Sequence, residues 1–117
     1  MSDCVFCDKL AEGSVTNFGP TTAHFEPLNP VTPGHRLFIP KIHAGHRDGI
    51  AASVVLANAM QSASIYGQEQ DEDFNLITSS GASATQTIPH IHVHYVPRRD
   101  GDGLALPWTE QQKEEQL

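Results

Sequence analysis

Three histidines near the end of the chain alternate with apolar residues, in the run PHIHVHYV over residues 89–96. The alternation, and the β-branched and aromatic residues between the histidines, predict a β-strand. Because successive side chains on a strand point to opposite faces, we expect His90, His92 and His94 to share one face. Such a row of imidazoles could be solvated or singly hydrogen-bonded, could hold a metal ion, or could form a catalytic face. The remaining sequence favours the catalytic face.

A second group that could do chemistry is the pair Cys4 and Cys7, the two cysteines of the chain. Their spacing lets one turn of backbone present both sulfurs to a metal ion. In a reducing compartment this spacing indicates metal or redox chemistry rather than a structural disulfide. The redox interpretation expects a thioredoxin-like βαβ context, which the sequence lacks. We therefore favour structural zinc as a cofactor, with a pair of free thiols as the alternative.

The length of 117 residues predicts one domain over 1–117 with a modest core. The sequence has no apolar run long enough to span a bilayer and no signal peptide, so we expect a cytoplasmic protein without a membrane partner. The net charge of −7 argues against a nucleic-acid partner, which would require a basic surface. A small phosphorylated ligand remains compatible with this charge, because a local pocket can be positive on an acidic protein.

The strands and helices predicted around these residues indicate an α+β fold. It consists of an antiparallel sheet of about five strands, one long helix and a short N-terminal helix. The long helix is predicted over 50–68, with Asp48 as N-cap. Its predicted apolar stripe consists of Ile50, Val54, Ala57, Met60 or Gln61, Ser64 and Ile65, widened by Val55 and Leu56. Its alanines and serines favour close packing on the sheet. The other predicted elements are a short helix or turn over 4–11, strands over 15–18, 22–25, 35–39, 74–78 and 90–96, a small-residue loop over 79–85 and a disordered or extended tail over 109–117.

The histidine strand resembles the signature of the histidine triad (HIT) family, His-x-His-x-His followed by two apolar residues. The resemblance extends to other blocks in family order. CVFC over 4–7 resembles the zinc-binding start of many bacterial members, and PGHRLFIPKIH over 33–43 resembles the second block. QT at 86–87 and PR at 97–98 also fit the pattern. The blocks cover the chain from Cys4 to about Arg99, and they are most similar to the Hint-like, zinc-containing branch.

The resemblance implies a homodimer whose sheets join across the interface. It also implies a nucleotide substrate, hydrolysed or transferred as a nucleoside monophosphate from a nucleoside phosphoramidate, a dinucleoside polyphosphate or a related ester. Two histidines complete the zinc site with the cysteines, so that the implied ligands are Cys4, Cys7, His43 and His90. His43 suits this role because it follows a strand in a polar connection.

The resemblance assigns the nucleophile to His92. A neutral imidazole attacks phosphorus well near neutral pH, giving a covalent nucleotidyl-histidine that water later cleaves. His94 is implied to contact the α-phosphate, His35 to join the cluster from the neighbouring strand, and Thr87 to serve the phosphate or the leaving group. Backbone N–H groups of the loop over 79–87 could approach a phosphate closely, because its residues are small.

The remaining candidate residues concern substrate binding. An apolar slot for a base is predicted from Phe6, Phe25 and Leu28, and phosphate or leaving-group contacts are predicted from Ser79, Gln86 and Arg98. For Gln86 a structural role, and for Arg98 a solvated position in a turn, remain the alternatives. Trp108 could close the site, across a dimer or within the chain, or simply pack.

Two positions depart from the family pattern. The family has Asn or Gln where this chain has Ser79, and a ribose-binding Asp or Asn where this chain has Pro27. These departures keep open a nucleotide-binding module without turnover. A metal hydrolase that uses His90, His92 and His94 as a catalytic zinc site is the other alternative.

Overall fold

A five-stranded antiparallel sheet forms the centre of the computed structural model, which describes residues 4–114. The strand order is β1-β2-β3-β5-β4, so β5 lies between β3 and the edge strand β4. This architecture confirms the predicted α+β class. The strands are β1 (Thr16–Phe18), β2 (Thr22–Phe25), β3 (Arg36–Pro40), β4 (Phe74–Ile77) and β5 (Val93–Pro97). The helices are α1 (Val5–Glu12), α2 (Gly49–Gln70) and α3 (Thr109–Glu114), with a short 3₁₀ turn at Ala82–Ala84.

The two faces of the sheet are covered by different helices. Leu37 and Ile39 of β3 pack with Phe6 of α1. Phe38, which lies between them and points the other way, packs against α2. The period-two pattern of β3 therefore builds a separate core on each face.

The histidine strand begins later than predicted. β5 starts at Val93. His90 lies in a bend before it, and His92 lies in the irregular residues that join the bend to the strand. The reason is local pairing: the N–H of His90 bonds to the carbonyl of Ile88, and the N–H of Ile91 bonds to the carbonyl of Ala44. The alternation persists nonetheless, since Val93 packs against α2 while the rings of His90 and His92 contact Phe6.

The apolar stripe predicted for α2 faces the core only in part, since Val55, Leu56 and Met60 pack against buried residues. Ile50, Val54 and Ile65 are 84%, 53% and 41% exposed. The fully buried residues of α2 are small ones, Ala52, Ala59, Ala63 and Gly67, and the partly buried Leu56, Met60 and Tyr66 pack beside them. Aromatic rings fill the sheet surface below them, and a Cβ added at Gly67 would collide with the Phe74 ring. Close packing was predicted correctly, and the predicted stripe was right at Val55, Leu56 and Met60 but wrong at Ile50, Val54 and Ile65.

The start of α2 and the C-terminal tail both differ from the prediction. Asp48 precedes α2 without capping it, because its Oδ2 accepts from the N–H of Gly45 at 2.7 Å. The expected extended tail instead forms α3 over Thr109–Glu114. Its glutamines and glutamates favour a helix, and the Thr109 hydroxyl accepts from the N–H of Leu106. Residues 115–117 of that predicted tail lie outside the described residues. None of the described helices is long and apolar enough to cross a membrane.

Candidate active site and metal cluster

His92 has one ring nitrogen fixed by the backbone. Its Nδ1 lies 2.8 Å from the carbonyl oxygen of His90, which can only accept a hydrogen bond, so Nδ1 carries the proton. In the neutral imidazole the lone pair is then on Nε2. The ring is 7% exposed and packs edge-on to Phe6, with centroids 5.2 Å apart. This arrangement holds the ring in one orientation and leaves Nε2 as a potential nucleophile.

His35 and His94 form a directed hydrogen-bond chain. The N–H of Val31 donates to Nδ1 of His35 at 3.1 Å, so the proton of neutral His35 lies on Nε2. That Nε2 is 3.0 Å from Nδ1 of His94 and donates to it, which leaves the proton of His94 on its own Nε2. Burial lowers the pKa of His35, and burial with the nearby His92 and His35 rings lowers the pKa of His94 to about 4. Both rings are therefore neutral near pH 7, and His94 can offer an N–H to a ligand.

The sequence-predicted metal ligands come together at one end of α1. Nδ1 of His90 lies 3.4 Å from Sγ of Cys4 and 3.5 Å from Sγ of Cys7, and Nδ1 of His43 lies 3.4 Å from Sγ of Cys7. Nε2 of His90 donates to the carbonyl of Pro40, so its Nδ1 presents a lone pair to the cluster. All the ligand atoms lie within 4.8 Å of one another. Tetrahedral zinc, with bonds of about 2.0–2.3 Å, would place its ligands roughly 3.5 Å apart, so this donor set fits zinc.

The side chain of Gln86 holds the loop before the histidines closed through two hydrogen bonds. Oε1 of Gln86 accepts from the N–H of Gly81 at 2.8 Å, and Nε2 donates to the carbonyl of Ile88. The amide predicted to bind substrate is thus used to close the loop. Thr85 adopts a left-handed conformation with φ of 68°, which a β-branched residue rarely takes. Thr87 is exposed on the same loop.

Arg98 is also engaged within the chain. It forms an ion pair with Asp102, with Nε 2.8 Å from Oδ2, and its Nη1 donates to Oδ1 of Asn75 at 2.7 Å. A further bond from Nη2 reaches the carbonyl of Leu104. A phosphate at Arg98 would have to compete with these partners, which lie in β4 and in the turn after β5.

The apolar slot predicted from Phe6, Phe25 and Leu28 is not open. Phe6 and Phe25 are 3% and 7% exposed and pack on each other, while Leu28 is 94% exposed. Leu28 lies in the proline-rich loop after β2. Trp108 is 43% exposed, which leaves its predicted closing role without support.

A cavity of about 290 Å³ lies beside the histidines instead, and its lining includes His35, His94, Ser79 and Thr85. Of the residues predicted to bind substrate, Ser79 and Arg98 therefore line the same cavity as the histidine pair. The structure brings His92 and His94 together as well, with ring centroids 5.3 Å apart.

His46 and Thr78 also lie at the site, although neither was predicted from the sequence. The Thr78 hydroxyl donates to the carbonyl of His92 at 2.8 Å and lies 3.4 Å from Nε2 of His46. Burial, and secondly the charge of His92, lower the pKa of His46. His46 could have been identified from the sequence, because it lies near His43 in the polar connection after β3.

Comparisons with known proteins point in one direction. The family model of the HIT domain matches residues 11–101. The adenylylsulfatase HINT3 of Arabidopsis thaliana is 34% identical, over 88% of this chain, and this chain spans 56% of that relative's length. The adenosine 5′-monophosphoramidase HNT1 of Saccharomyces cerevisiae is 29% identical, over 93% of this chain and 72% of the relative.

Two solved structures resemble this chain in fold, and one of them is a zinc-bound protein. A HIT family hydrolase from Clostridium thermocellum superposes with a TM-score of 0.75 at 24% identity, covering 91% of this chain and 99% of that one, and indicates the fold alone. A zinc-bound histidine triad protein from Mycobacterium smegmatis has a TM-score of 0.72 at 28% identity, covering 96% and 88%.

Proposed function

This chain belongs to the histidine triad (HIT) family, and on that premise we propose that it is a nucleotide hydrolase or nucleotidyltransferase. Its substrates are nucleoside phosphoramidates or dinucleoside polyphosphates, attacked at the α-phosphate. The observation that carries the proposal is the tautomer of His92, whose Nδ1–H is bound to the carbonyl of His90. The names of the relatives, an adenylylsulfatase and an adenosine monophosphoramidase, support a reaction at a nucleotide phosphorus.

In the first step, the Nε2 lone pair of His92 attacks the α-phosphorus. The bond from phosphorus to the leaving atom breaks, its electron pair goes to that atom, and the atom takes a proton from water. In the second step, water attacks the nucleotidyl-His92 and gives a nucleoside monophosphate, returning one proton to the solvent and the lone pair to Nε2. For transfer, another nucleophile replaces this water.

His94 stabilises the charge that develops on the phosphoryl oxygens. Its Nε2–H is the donor left free by the bond from His35, and a fixed donor is most effective where charge develops. His35 is a positioning residue, because it acts by fixing the tautomer of His94. We assign Thr87 and Ser79 to contacts with the phosphate or the leaving group, supported by their places on the loop and at the cavity.

The cluster of Cys4, Cys7, His43 and His90 is assigned to structural zinc. The donor set and the spacing of the ligand atoms support this, as does the zinc-bound relative. Bound zinc would join α1 to the segment before β5 and so stabilise the fold. The direction of Nδ1 of His90 toward both cysteines favours this assignment over a catalytic zinc held by His90, His92 and His94.

A homodimer is also proposed, and two features support it. α2 exposes an apolar row that includes Ile50, Val54 and Ile65, and β4 pairs with β5 alone among the described strands. A second copy could cover the apolar row and extend the sheet. Sedimentation equilibrium of the wild type and of Val54→Arg tests this, since the proposal requires a dimer that the charge weakens.

The test of the function is a panel of adenosine and guanosine α-phosphate derivatives given to the wild type and to His92→Asn. We expect turnover of at least one phosphoramidate or dinucleoside polyphosphate by the wild type. For the variant we expect a loss of several orders of magnitude at unchanged circular dichroism. Tight binding without turnover by the wild type would favour a binding module. Zinc loss on mutating His92 would favour the catalytic zinc site.

A further inference from the structure

The residue assigned as the nucleophile lies just beyond the paired part of its strand. β3 pairs with β5 as far as Val93, and β4 pairs with it as far as His94. His92 therefore has no strand partner in either ladder. Backbone groups at such a place need other hydrogen-bond partners. The partners that they find determine where the imidazole of His92 lies relative to the sheet.

On the side of β3, two hydrogen bonds hold the residues before His92. Nε2 of His90 donates to the carbonyl of Pro40 at 3.1 Å, and the N–H of Ile91 donates to the carbonyl of Ala44 at 2.8 Å. The bond from Nδ1 of His92 to the carbonyl of His90 orients the ring, but both of its ends lie in the same short segment. That bond fixes the ring relative to His90 and not relative to β4.

On the side of β4, the bond comes from the side chain of Thr78, the half-buried residue that follows the strand. Its hydroxyl donates to the carbonyl of His92 at 2.8 Å. Because a carbonyl oxygen can only accept, the hydroxyl proton points toward His92 and the Oγ lone pairs remain available. Nε2 of His46 lies 3.4 Å from that Oγ, so an N–H on Nε2 is placed to donate to it.

The result is a directed chain from His46 through Thr78 to the main chain of His92. The three residues lie in the connection before α2, at the end of β4 and before β5, separated by 32 and 14 positions in the sequence. These bonds therefore join distant segments, and they hold the nucleophile from the side of the sheet that the bonds to Pro40 and Ala44 do not reach.

We propose that Thr78 is a positioning residue for the nucleophile, and that His46 directs the Thr78 hydroxyl toward the carbonyl of His92. The inference rests on the proposed function and adds two residues to it, which act through the main chain of His92 and not on the phosphate. The pair fixes the distance and angle at which Nε2 of His92 meets the α-phosphorus. Such control matters, because a displacement of about 1 Å can cost about a hundredfold in rate.

The test uses Thr78→Val, which keeps the shape of the side chain and removes the donor, and Thr78→Ser, which keeps the donor. Each protein is mixed in saturating excess with adenosine 5′-phosphoramidate, and the loss of substrate is followed over a single turnover. Saturation is checked by doubling the enzyme concentration. The rate constant then reports the first step in each folded molecule and does not depend on the fraction that is unfolded, so a merely structural role would not change it.

We expect the rate constant of Thr78→Val to fall by about tenfold, as loss of one hydrogen bond implies, and that of Thr78→Ser to stay close to the wild type. Thr78→Ala, which also lacks the hydroxyl, gives a second measurement. Thr16→Val, exposed on β1, is the matched control and should behave as the wild type. An unchanged rate in the valine and alanine variants, or an equal loss in the serine variant, would overturn the inference and leave the proposed function intact. No loss of substrate with the wild type would contradict both.

A double-mutant cycle tests whether His46 acts through Thr78. His46→Leu removes the donor and should lower the single-turnover rate constant by about threefold, the lower end for one hydrogen bond, while His46→Gln should recover part of the loss. In the Thr78→Val background, His46→Leu should have no further effect, because the group that it directs is absent. An equal loss in both backgrounds would show that His46 acts on His92 independently of Thr78, and its assigned role would be wrong.

Discussion

His92 and His94 carry their protons on opposite ring nitrogens. His92 donates from Nδ1 to a carbonyl, whereas His94 accepts at Nδ1 from His35. One imidazole is left with a lone pair and the other with an N–H, which are the two groups that attack at phosphorus requires. The sequence pattern predicted that the residues share a face, but their tautomers depend on the backbone partners of each ring.

The role of His35 can be separated from its packing. His35→Phe keeps a ring but cannot donate to His94, and we expect kcat to fall by about tenfold with KM little changed, as loss of a hydrogen bond worth up to about 1.5 kcal/mol implies. His35→Gln offers a donor and should recover part of the loss. Steady-state kinetics on the phosphoramidate panel measure both. Equal losses in the two variants would contradict a positioning role.

His24 gives a prediction on stability against pH. Its Nδ1 accepts from Nε of Arg36, and burial, with the charge of Arg36, lowers its pKa to about 4. The unfolded chain takes up this proton near pH 6.5 and the folded chain does not, so the free energy of unfolding should fall as the pH drops from 6.5 to 4. In His24→Gln, urea titrations should give a shallower dependence over that window. Parallel curves for the two proteins would refute the assignment.

At the scale of elements, α1 connects the metal cluster to the nucleophile. Cys4 and Cys7 lie at its start, and Phe6 between them contacts the rings of both His90 and His92. The short helix predicted from a few residues is thus one wall of the site. Its cap could not be predicted, because Sγ of Cys4 accepts from the N–H of Cys7 where Ser or Asp is usual.

Two substitutions at Cys4 distinguish its role as a zinc ligand from its role as the N-cap of α1. Cys4→Ala and Cys4→Ser should both lower the zinc content and the melting temperature, because structural zinc contributes to folding free energy. Serine retains a capping oxygen, so alanine should cost about 0.5–2 kcal/mol more. Mass spectrometry of the metal and thermal unfolding measure the two effects, with Val5→Ala as the control on an exposed position of α1. Wild type that is zinc-free, with both thiols freely reactive, would rule the site out.

At the scale of the molecule, local patterns predicted most strands, and β2 matched the prediction over 22–25. The position of β5 between β3 and β4, with Leu37 and Ile77 both opposite His94, depends on long-range pairing that no local pattern contains. Of the stripe predicted for α2, Ile50, Val54 and Ile65 lie outside because alanines face the aromatic sheet, whereas Leu56 and Met60 pack beside those alanines. The partners of Gln86 and Arg98 within the chain could not be predicted, because they depend on loop geometry and, for Arg98, also on Asn75 of β4.

The two faces of the sheet differ in role: one packs against α2 in the core, and the other carries the candidate active site. α2 covers the first with small residues, and α1, the histidines and the cavity occupy the second. β5 takes part in both, since Val93 and Tyr95 lie against α2 and His94 faces the cavity.

The covalent intermediate on His92 is the central claim, and mass measurement of the enzyme during turnover tests it most directly. Wild type mixed with an adenosine phosphoramidate, quenched at neutral pH in denaturant, should gain the mass of one adenosine monophosphate group. The label should map to the peptide containing His92 and be absent in His92→Asn. Turnover without a labelled enzyme, or a label on His94, would contradict the mechanism.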